Sequence, residues 1–275
     1  MDLAGDWRFQ WKSGWLFQCI QAEGPDQALY QGLMEGLGYR TNQRRFIELA
    51  SVAPYRSVAQ AGGLEADQRV VAISGCLLRC SGLGGSISEF LGSQSGESPL
   101  DLKLPRGQGS AMNREEWRLF RVLPTNHPRR RIMGAAVIIN RFLATGLAAG
   151  LREVVQKMSA AKLTASLLAD GASGPAYVGR GRAKDLAVNV VLPFMHACDR
   201  WQALQKGEPE PSPKSTAEEP GAPEKLYRNF TLLAANEITQ EMTSQLLPTR
   251  WLRAVSNARR QQGLLHLSDV LKGAF

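Results

Sequence analysis

Cysteine and histidine are scarce in this 275-residue chain, which limits the chemistry that it can support. Four cysteines are too few to suggest a disulfide scaffold in a chain of this length. The three histidines show no metal-ligand spacing, since His196 and Cys198 are two residues apart and His266 is isolated. We therefore predict no metal site and a reducing, cytoplasmic environment.

The common motifs of hydrolases and nucleotide-dependent enzymes are also missing. The chain has no G-x-S-x-G nucleophile elbow and no G-x-x-x-x-G-K-[ST] phosphate loop. The glycine-rich stretch SGLGGS lacks the strand-glycine-helix context of a dinucleotide fingerprint. These absences predict no bound cofactor and disfavour catalysis by this chain alone.

Only one apolar run is long enough to raise the question of a membrane span. Residues 132–151 read IMGAAVIINRFLATGLAAGL, which is about the length that crosses a bilayer. Asn140 and Arg141 lie at its centre, where an arginine costs roughly 2.5 to 3.5 kcal/mol on insertion scales. We therefore predict a buried helix and no membrane partner. The opening MDLAGDWRFQWKSGWLF has acidic residues before any apolar run, so it does not resemble a signal peptide.

Helical periodicity is what the sequence does contain. In PDQALYQGLMEGL the apolar residues recur at helical spacing, with Pro25 suited to the first turn and Gly38 to the exit. The pattern as a whole predicts a mainly α fold with few or no short strands. Helices are expected over 25–37, from Asn42 to Pro54, and over 66–80, 113–122, 128–142, 146–168 and 183–201, the last kinked at Pro193, while 174–179 could form a strand.

A Pro/Glu-rich segment divides the chain unequally. Residues 207–223, GEPEPSPKSTAEEPGAP, offer little that could be buried, so they predict a disordered linker or surface excursion. We expect a main helical domain over 1–206, a linker over 207–224 and a helical segment over 225–275. About 50 residues alone form a marginal core, so the last segment should pack on the main domain.

Positive charge exceeds negative charge, and the excess is uneven. The chain carries a net charge of +8. Segment 207–224 holds five Glu and one Lys, which is net −4 and leaves +12 on the remainder. Such a surplus attracts nucleic acid, anionic membrane surfaces or acidic proteins, but it does not specify a fold.

Three consecutive arginines in NHPRRR mark the most unusual local feature. Arg129, Arg130 and Arg131 fall in the first turn of a predicted helix, where each exposed cation is disfavoured by about 0.3 to 1 kcal/mol. An anion held against the free N–H groups, with Asn126 beside it, would satisfy both the dipole and the arginines. His127 could act there as a helix cap, a phosphate-contacting donor or a general acid.

Two further basic elements extend this pattern. Arg180, Arg182 and Lys184 surround another predicted helix start, next to two glycines that allow close approach of a ligand. Arg114, Arg118 and Arg121 would share one face of the predicted helix that starts at Asn113. The alternative is that these arginines are solvated, or are paired internally with carboxylates such as Glu35, Glu48, Glu153 or Asp185.

Several stretches together resemble a known family. They are PDQALYQGLMEGLGYRTNQRRFIELA, LPTNHPRRRIMGAA, GRGRAKDLAVNVVLPFMHA, NEITQEM and ARRQQGLLHL, which cover most of the chain in order. In these the chain resembles the bacterial proteins grouped as domain of unknown function 2851. The resemblance is to the part that follows an additional N-terminal region in longer members. It implies a helical companion region, a split gene product or a fragment, and a separately encoded N-terminal region as its partner.

Three functions follow as hypotheses. The first is a helical module that binds a polyanion, namely DNA or RNA. The second is a partial or complete enzyme for a phosphorylated or nucleotide substrate, with His127 as proton donor. The third is a structural or protein-interaction module with internally paired arginines. The residues predicted to bind the anion are Asn126, His127, Arg129, Arg130, Arg131, Arg114, Arg118, Arg121, Arg180, Arg182 and Lys184.

Overall fold

A computed structural model describes residues 1–84, 112–120, 122–171, 174–207, 219–248 and 253–273. Its regular elements are helices, and β structure in these residues amounts to two isolated bridges, so the prediction of a mainly α fold is confirmed. The helices are α1 (Asp2–Glu23), α2 (Pro25–Leu37), α3 (Tyr39–Val52), α4 (Tyr55–Val58), α5 (Ala66–Cys80), α6 (Pro128–Arg141), α7 (Leu147–Gln156), α8 (Ala160–Ser166), α9 (Arg180–Leu186), α10 (Leu192–Gln205), α11 (Ala222–Arg228), α12 (Glu237–Leu246) and α13 (Ala258–Leu271).

The helices with the clearest periodicity were predicted well. Helices α2, α5 and α6 match the expected ranges to within a residue. Pro25 occupies the first turn of α2, and Pro128 that of α6. A proline fits there because its missing N–H would have no partner inside the helix.

The predicted helix from Asn113 to Val122 is wrong. Asn113 caps a single 3-10 turn, Arg114–Glu116, by accepting a hydrogen bond from the Glu115 backbone N–H at 3.0 Å. The chain then extends, because the buried Trp117 donates its indole N–H to the Ser81 carbonyl at 2.8 Å. Arg114 and Arg118 therefore do not share a helical face, and Arg121 lies outside the described residues.

Other predicted boundaries are corrected by local contacts. Asn42 lies inside α3, where its buried side chain exchanges two hydrogen bonds with the Arg118 backbone at 3.0 and 3.1 Å. Segment 146–168 is interrupted at Met158, whose φ is 51°. Val178 forms only an isolated bridge with Ala169 instead of a strand. Helix α9 starts at Arg180, and a π-helical turn over Ala187–Val191 joins it to α10.

Helix α1 is the centre of the packing, although no periodicity predicted it. Its buried side packs against α13 and α10. At the crossing with α13, a Cβ on Gly5 would lie 2.2 Å from the Arg259 carbonyl oxygen. The Tyr227 hydroxyl of α11 donates to the Gly5 carbonyl at 2.8 Å, which ties the segment after residue 219 to the same place.

Two predictions concern the membrane and the linker. In the described part of the chain, no helix has both the length and the apolar character that a membrane span needs. The apolar run at 132–151 is divided between α6, which ends at Arg141, and α7, which begins at Leu147. Most of the predicted linker, residues 208–218, lies outside the described residues.

Candidate functional site

Arg131 is a buried cation that is held by oxygen atoms of three different segments. Its side chain belongs to the first turns of α6, and the residue is only 5% exposed. The guanidinium donates to the Tyr177 carbonyl and the Tyr39 hydroxyl, each at 2.8 Å, and to Asn126 Oδ1 at 2.7 Å. Burial lowers the pKa of Arg131, and the nearby Arg182 guanidinium lowers it further. In the described residues no carboxylate forms an ion pair with it, so its charge is balanced by dipoles.

Tyr39 connects Arg131 to Arg182. It is the first residue of α3 and has a φ of 48°, a left-handed conformation that costs a non-glycine residue about 1 to 2 kcal/mol. The Arg182 guanidinium carbon lies 3.5 Å from the centre of the Tyr39 ring, and that of Arg131 lies 4.9 Å away. Cation–π attraction of this kind helps to hold the strained backbone in place.

The other residues at the start of α6 have local roles. His127 Nδ1 accepts the Arg129 backbone N–H at 3.3 Å, so the imidazole caps the helix, which is one of the predicted alternatives. Burial lowers the pKa of His127, with the Arg129 and Arg114 charges adding to the effect. The Arg130 guanidinium donates to the Pro175 carbonyl, and its central carbon lies 5.1 Å from the centre of the Tyr177 ring.

A cavity of about 580 Å³ opens beside Arg182, and we call it the central cavity. It lies between α1, α2, α9 and the π turn. Lys12 lines it from α1 and donates to Asn189 Oδ1 on the π turn and to Gln262 Oε1 at 3.4 Å. The π turn shifts the helical register at Asn189, and such turns are frequent at functional sites.

The ionisable groups of the central cavity are shifted in opposite directions. Burial lowers the pKa of Lys12 well below its ordinary value, and the Arg8 charge contributes. Burial raises the pKa of Glu35 and that of Asp185. The Arg182 guanidinium lies 3.7 Å from the Asp185 carboxylate and also donates to the Gly36 carbonyl at 3.2 Å. Environments that move neighbouring pKa values toward neutrality are typical of sites that bind or transfer protons.

A second cavity, of about 550 Å³, adjoins the first because Gln43 lines both. Arg44, Arg45 and Arg118 contribute its positive charge. Arg45 is ion-paired with Glu48 and Glu116. We call the two cavities together the basic groove. Its lining contains five arginines, one lysine and three acidic side chains, so the arginines alone outnumber the carboxylates.

Three exposed tryptophans lie along α1, and two of them border the basic groove. Trp7, Trp11 and Trp15 are 57%, 56% and 43% exposed, and their spacing of four places them along one side of α1. Trp11 and Trp15 line the central cavity. Trp7 instead packs edge-on against His266, with 6.1 Å between the ring centres. Large aromatic residues left exposed next to a groove indicate a binding surface. This surface was not predicted from the sequence, although tryptophans spaced four residues apart indicate a shared helical face.

The predicted anion-binding residues do not converge on one pocket. Arg182 lines the central cavity and Arg118 lines the second cavity. Asn126 and Arg131 lie behind Tyr39 and support it. Of the remaining predicted residues, Arg180 and Arg114 are exposed, Lys184 and Arg129 are partly buried, and none of these four lines either cavity.

A scan of protein-family models and searches of curated proteins and of solved structures found no match to this chain. The resemblance to domain of unknown function 2851 stays a prediction. No group of three or more His, Cys, Asp or Glu side chains that could hold a metal ion occurs in the described ranges.

Proposed function

We propose that this protein binds single-stranded nucleic acid in the basic groove. Proteins that bind single strands combine a positively charged groove for the backbone with aromatic side chains on which bases stack. The observation that carries the proposal is that two adjoining cavities share Gln43, carry excess positive charge and are bordered by exposed Trp11 and Trp15.

The two halves of the groove would contribute different kinds of contact. Arg44 and Arg118 are exposed at the second cavity and are free to follow phosphates. Trp15 at the central cavity offers a stacking surface, which is worth about 1 to 3 kcal/mol per base. This division predicts a salt-dependent contribution from Arg44 and Arg118 and a salt-independent contribution from Trp15.

Arg131 is assigned a supporting role instead of a phosphate contact. Three of its five N–H donors are engaged by oxygen atoms of the protein, and the residue is only 5% exposed. By holding the Tyr39 hydroxyl, it fixes the ring against which Arg182 lies at the edge of the central cavity. Arg131 would therefore stabilise the groove from within the fold, while the exposed Arg44 and Arg118 contact the ligand.

The test is fluorescence anisotropy with a labelled single-stranded oligonucleotide, titrated at several salt concentrations. Arg44→Glu combined with Arg118→Glu should weaken binding more than tenfold at low salt. Each lost phosphate contact reduces the slope of log affinity against log salt by about 0.7 for single strands. Trp15→Ala should weaken binding roughly 5- to 150-fold, which corresponds to one lost stacking contact, and leave that slope unchanged.

Matched controls separate the groove from general charge and general hydrophobicity. Arg56→Glu combined with Lys157→Glu makes the same charge change at exposed residues that line neither cavity. Trp7→Ala removes an exposed tryptophan that does not line the central cavity. Equal effects of groove and control variants, or binding that ignores salt, would contradict the proposal.

A further inference from the structure

We propose that the Lys12 amine is a nucleophile that forms an imine with a phosphorylated aldehyde in the central cavity. One source of such an aldehyde is an abasic deoxyribose within a bound strand. For this source, the inference deepens the proposed function and rests on it. The other source is a free aldose phosphate, which requires only the cavity. Both carry the same reacting groups, an aldehyde carbon with a phosphate nearby.

The contacts of Lys12 suit a neutral amine. Its Nζ donates to two amide oxygens, those of Asn189 and Gln262. In the described residues no carboxylate lies within ion-pair distance of it, although most buried lysines require one. A neutral amine has two hydrogens, which these acceptors can take, and one lone pair, which is left for an electrophile.

Lys12 is also accessible from the cavity. The residue is partly exposed and lines the central cavity beside Trp15, Glu35 and Asp185. A lysine in a desolvated site next to another cation is the usual arrangement for imine formation, and Arg8 is the neighbouring cation. Each unit by which a lysine pKa falls raises the neutral fraction at pH 7 about tenfold.

The phosphate is assigned to Arg182. Its guanidinium lines the same cavity, and its buried Nε has no hydrogen-bond partner in the part of the chain that the structure describes. Stacking on Tyr39 fixes the guanidinium plane, which favours a bidentate contact with phosphate oxygens. The volume of the central cavity, about 580 Å³, lies within the range of roughly 300 to 1,000 Å³ that is usual for small-ligand pockets. It is sufficient for a sugar phosphate.

The reaction balances without an oxidant or reductant. The Nζ lone pair bonds to the aldehyde carbon, and the carbonyl oxygen takes up a proton to give a carbinolamine. The C–O bond then breaks and the oxygen leaves as water, carrying in net terms the two hydrogens of the amine. Glu35 and Asp185, whose pKa values are raised by burial, can lend and recover the proton that the leaving hydroxyl needs.

Reductive trapping tests the proposal. The full chain is incubated with sodium cyanoborohydride and either an oligonucleotide that contains one abasic site or glyceraldehyde 3-phosphate. The expected result is a covalent adduct. The mass that it adds to the protein equals the mass of the aldehyde less one oxygen atom. Peptide mapping should place the adduct on Lys12, at a rate at least tenfold above that of any exposed lysine. Adducts absent altogether, or spread over the exposed lysines and the Met1 amine, would overturn the proposal.

Variants and the choice of probe separate this proposal from the proposed function. Lys12→Arg and Lys12→Met should abolish the Lys12 adduct, whereas Lys162→Arg, a change at an exposed lysine, should leave the yield unchanged. If the sugar phosphate is trapped but intact single strands do not bind, the imine proposal is supported. Nucleic acid is then excluded as the source of the aldehyde. Intact-strand binding without trapping of either probe supports only the binding function. Peptide mapping on the unaltered protein locates the adduct directly. The test therefore remains decisive even if a variant fails to fold.

Discussion

A buried guanidinium without a carboxylate partner is unusual, and Arg131 shows how one is accommodated. Its charge is spread over a planar group that can donate to several oxygens at once. Tyr177, Asn126 and Tyr39 supply those oxygens from three separate segments. Removal of one acceptor should leave a buried charged donor without a partner, and this usually costs more than the loss of a hydrogen bond between neutral groups.

Tyr39→Phe tests this contribution. The change keeps the ring near Arg182 and removes the hydroxyl that accepts from Arg131. We expect the free energy of unfolding to fall by about 1.5 to 3 kcal/mol, measured by urea denaturation. Tyr55→Phe is the matched control, because within the described residues the Tyr55 hydroxyl accepts from a neutral backbone N–H, that of Leu147 at 3.2 Å. An equal or smaller loss for Tyr39→Phe than for Tyr55→Phe would show that Arg131 does not depend on the phenol.

The residues of the candidate site were predicted unevenly, and the reason is distance along the chain. Arg131 and Arg182 stood out because positive charge at a helix start breaks a local rule. Lys12, Glu35 and Asn189 break no local rule in the sequence. They come together only because α1, α2 and the π turn pack around one cavity. A single sequence carries no signal for contacts of that kind.

Helix α1 escaped prediction because both of its sides look alike in the sequence. One side is buried and includes the small residues Gly5 and Ser13, and α13 approaches closely at Gly5. The other side carries Trp7, Trp11 and Trp15, which are exposed. The usual contrast between an apolar and a polar face is therefore missing. The failed helix at Asn113 is the reverse case, in which a good capping signal was overridden by the tertiary contact of Trp117.

Two glycines of α1 should respond in opposite directions to alanine. Gly5→Ala places a Cβ against the Arg259 carbonyl oxygen, a backbone atom of α13 that cannot easily move. We expect a loss of about 1 to 3 kcal/mol from overpacking. Gly14→Ala meets no atom within 4 Å and should stabilise the helix by roughly 0.5 to 1 kcal/mol. Urea denaturation of both variants measures the difference, and a stabilising Gly5→Ala would disprove the close crossing of α1 and α13.

At the scale of the whole molecule, charged pairs fasten α1 to α13. Asp6 pairs with Arg259, Asp2 with Arg260 at 3.0 Å, and Arg8 with Asp269 at 2.5 Å. The hydrogen bond from Arg260 lowers the pKa of Asp2 below its ordinary value of 3.8. A carboxyl whose folded-state pKa is lowered stabilises the fold above its unfolded value, and this stabilisation is lost as the pH falls through the folded value.

Asp2→Asn tests the contribution of this pair. The variant should be less stable than the unaltered protein at neutral pH, and the difference should shrink as the pH falls below 3.8. The measurement is the urea midpoint as a function of pH. Asp67→Asn changes a first-turn carboxylate of α5 that has no arginine ion pair in the described structure, so it separates the Arg260 contact from the helix dipole effect. Identical pH profiles for the two variants would contradict the assignment.

The pairing of α1 with α13 also has a temporal consequence during synthesis on the ribosome. More than two hundred residues separate these helices, so at about 5 to 20 residues per second α1 waits on the order of ten to fifty seconds for its partner. During that interval its tryptophans and its unfilled packing surface are both accessible to chaperones and to other nascent chains. Translation speed across the intervening segment should therefore influence the yield of folded protein.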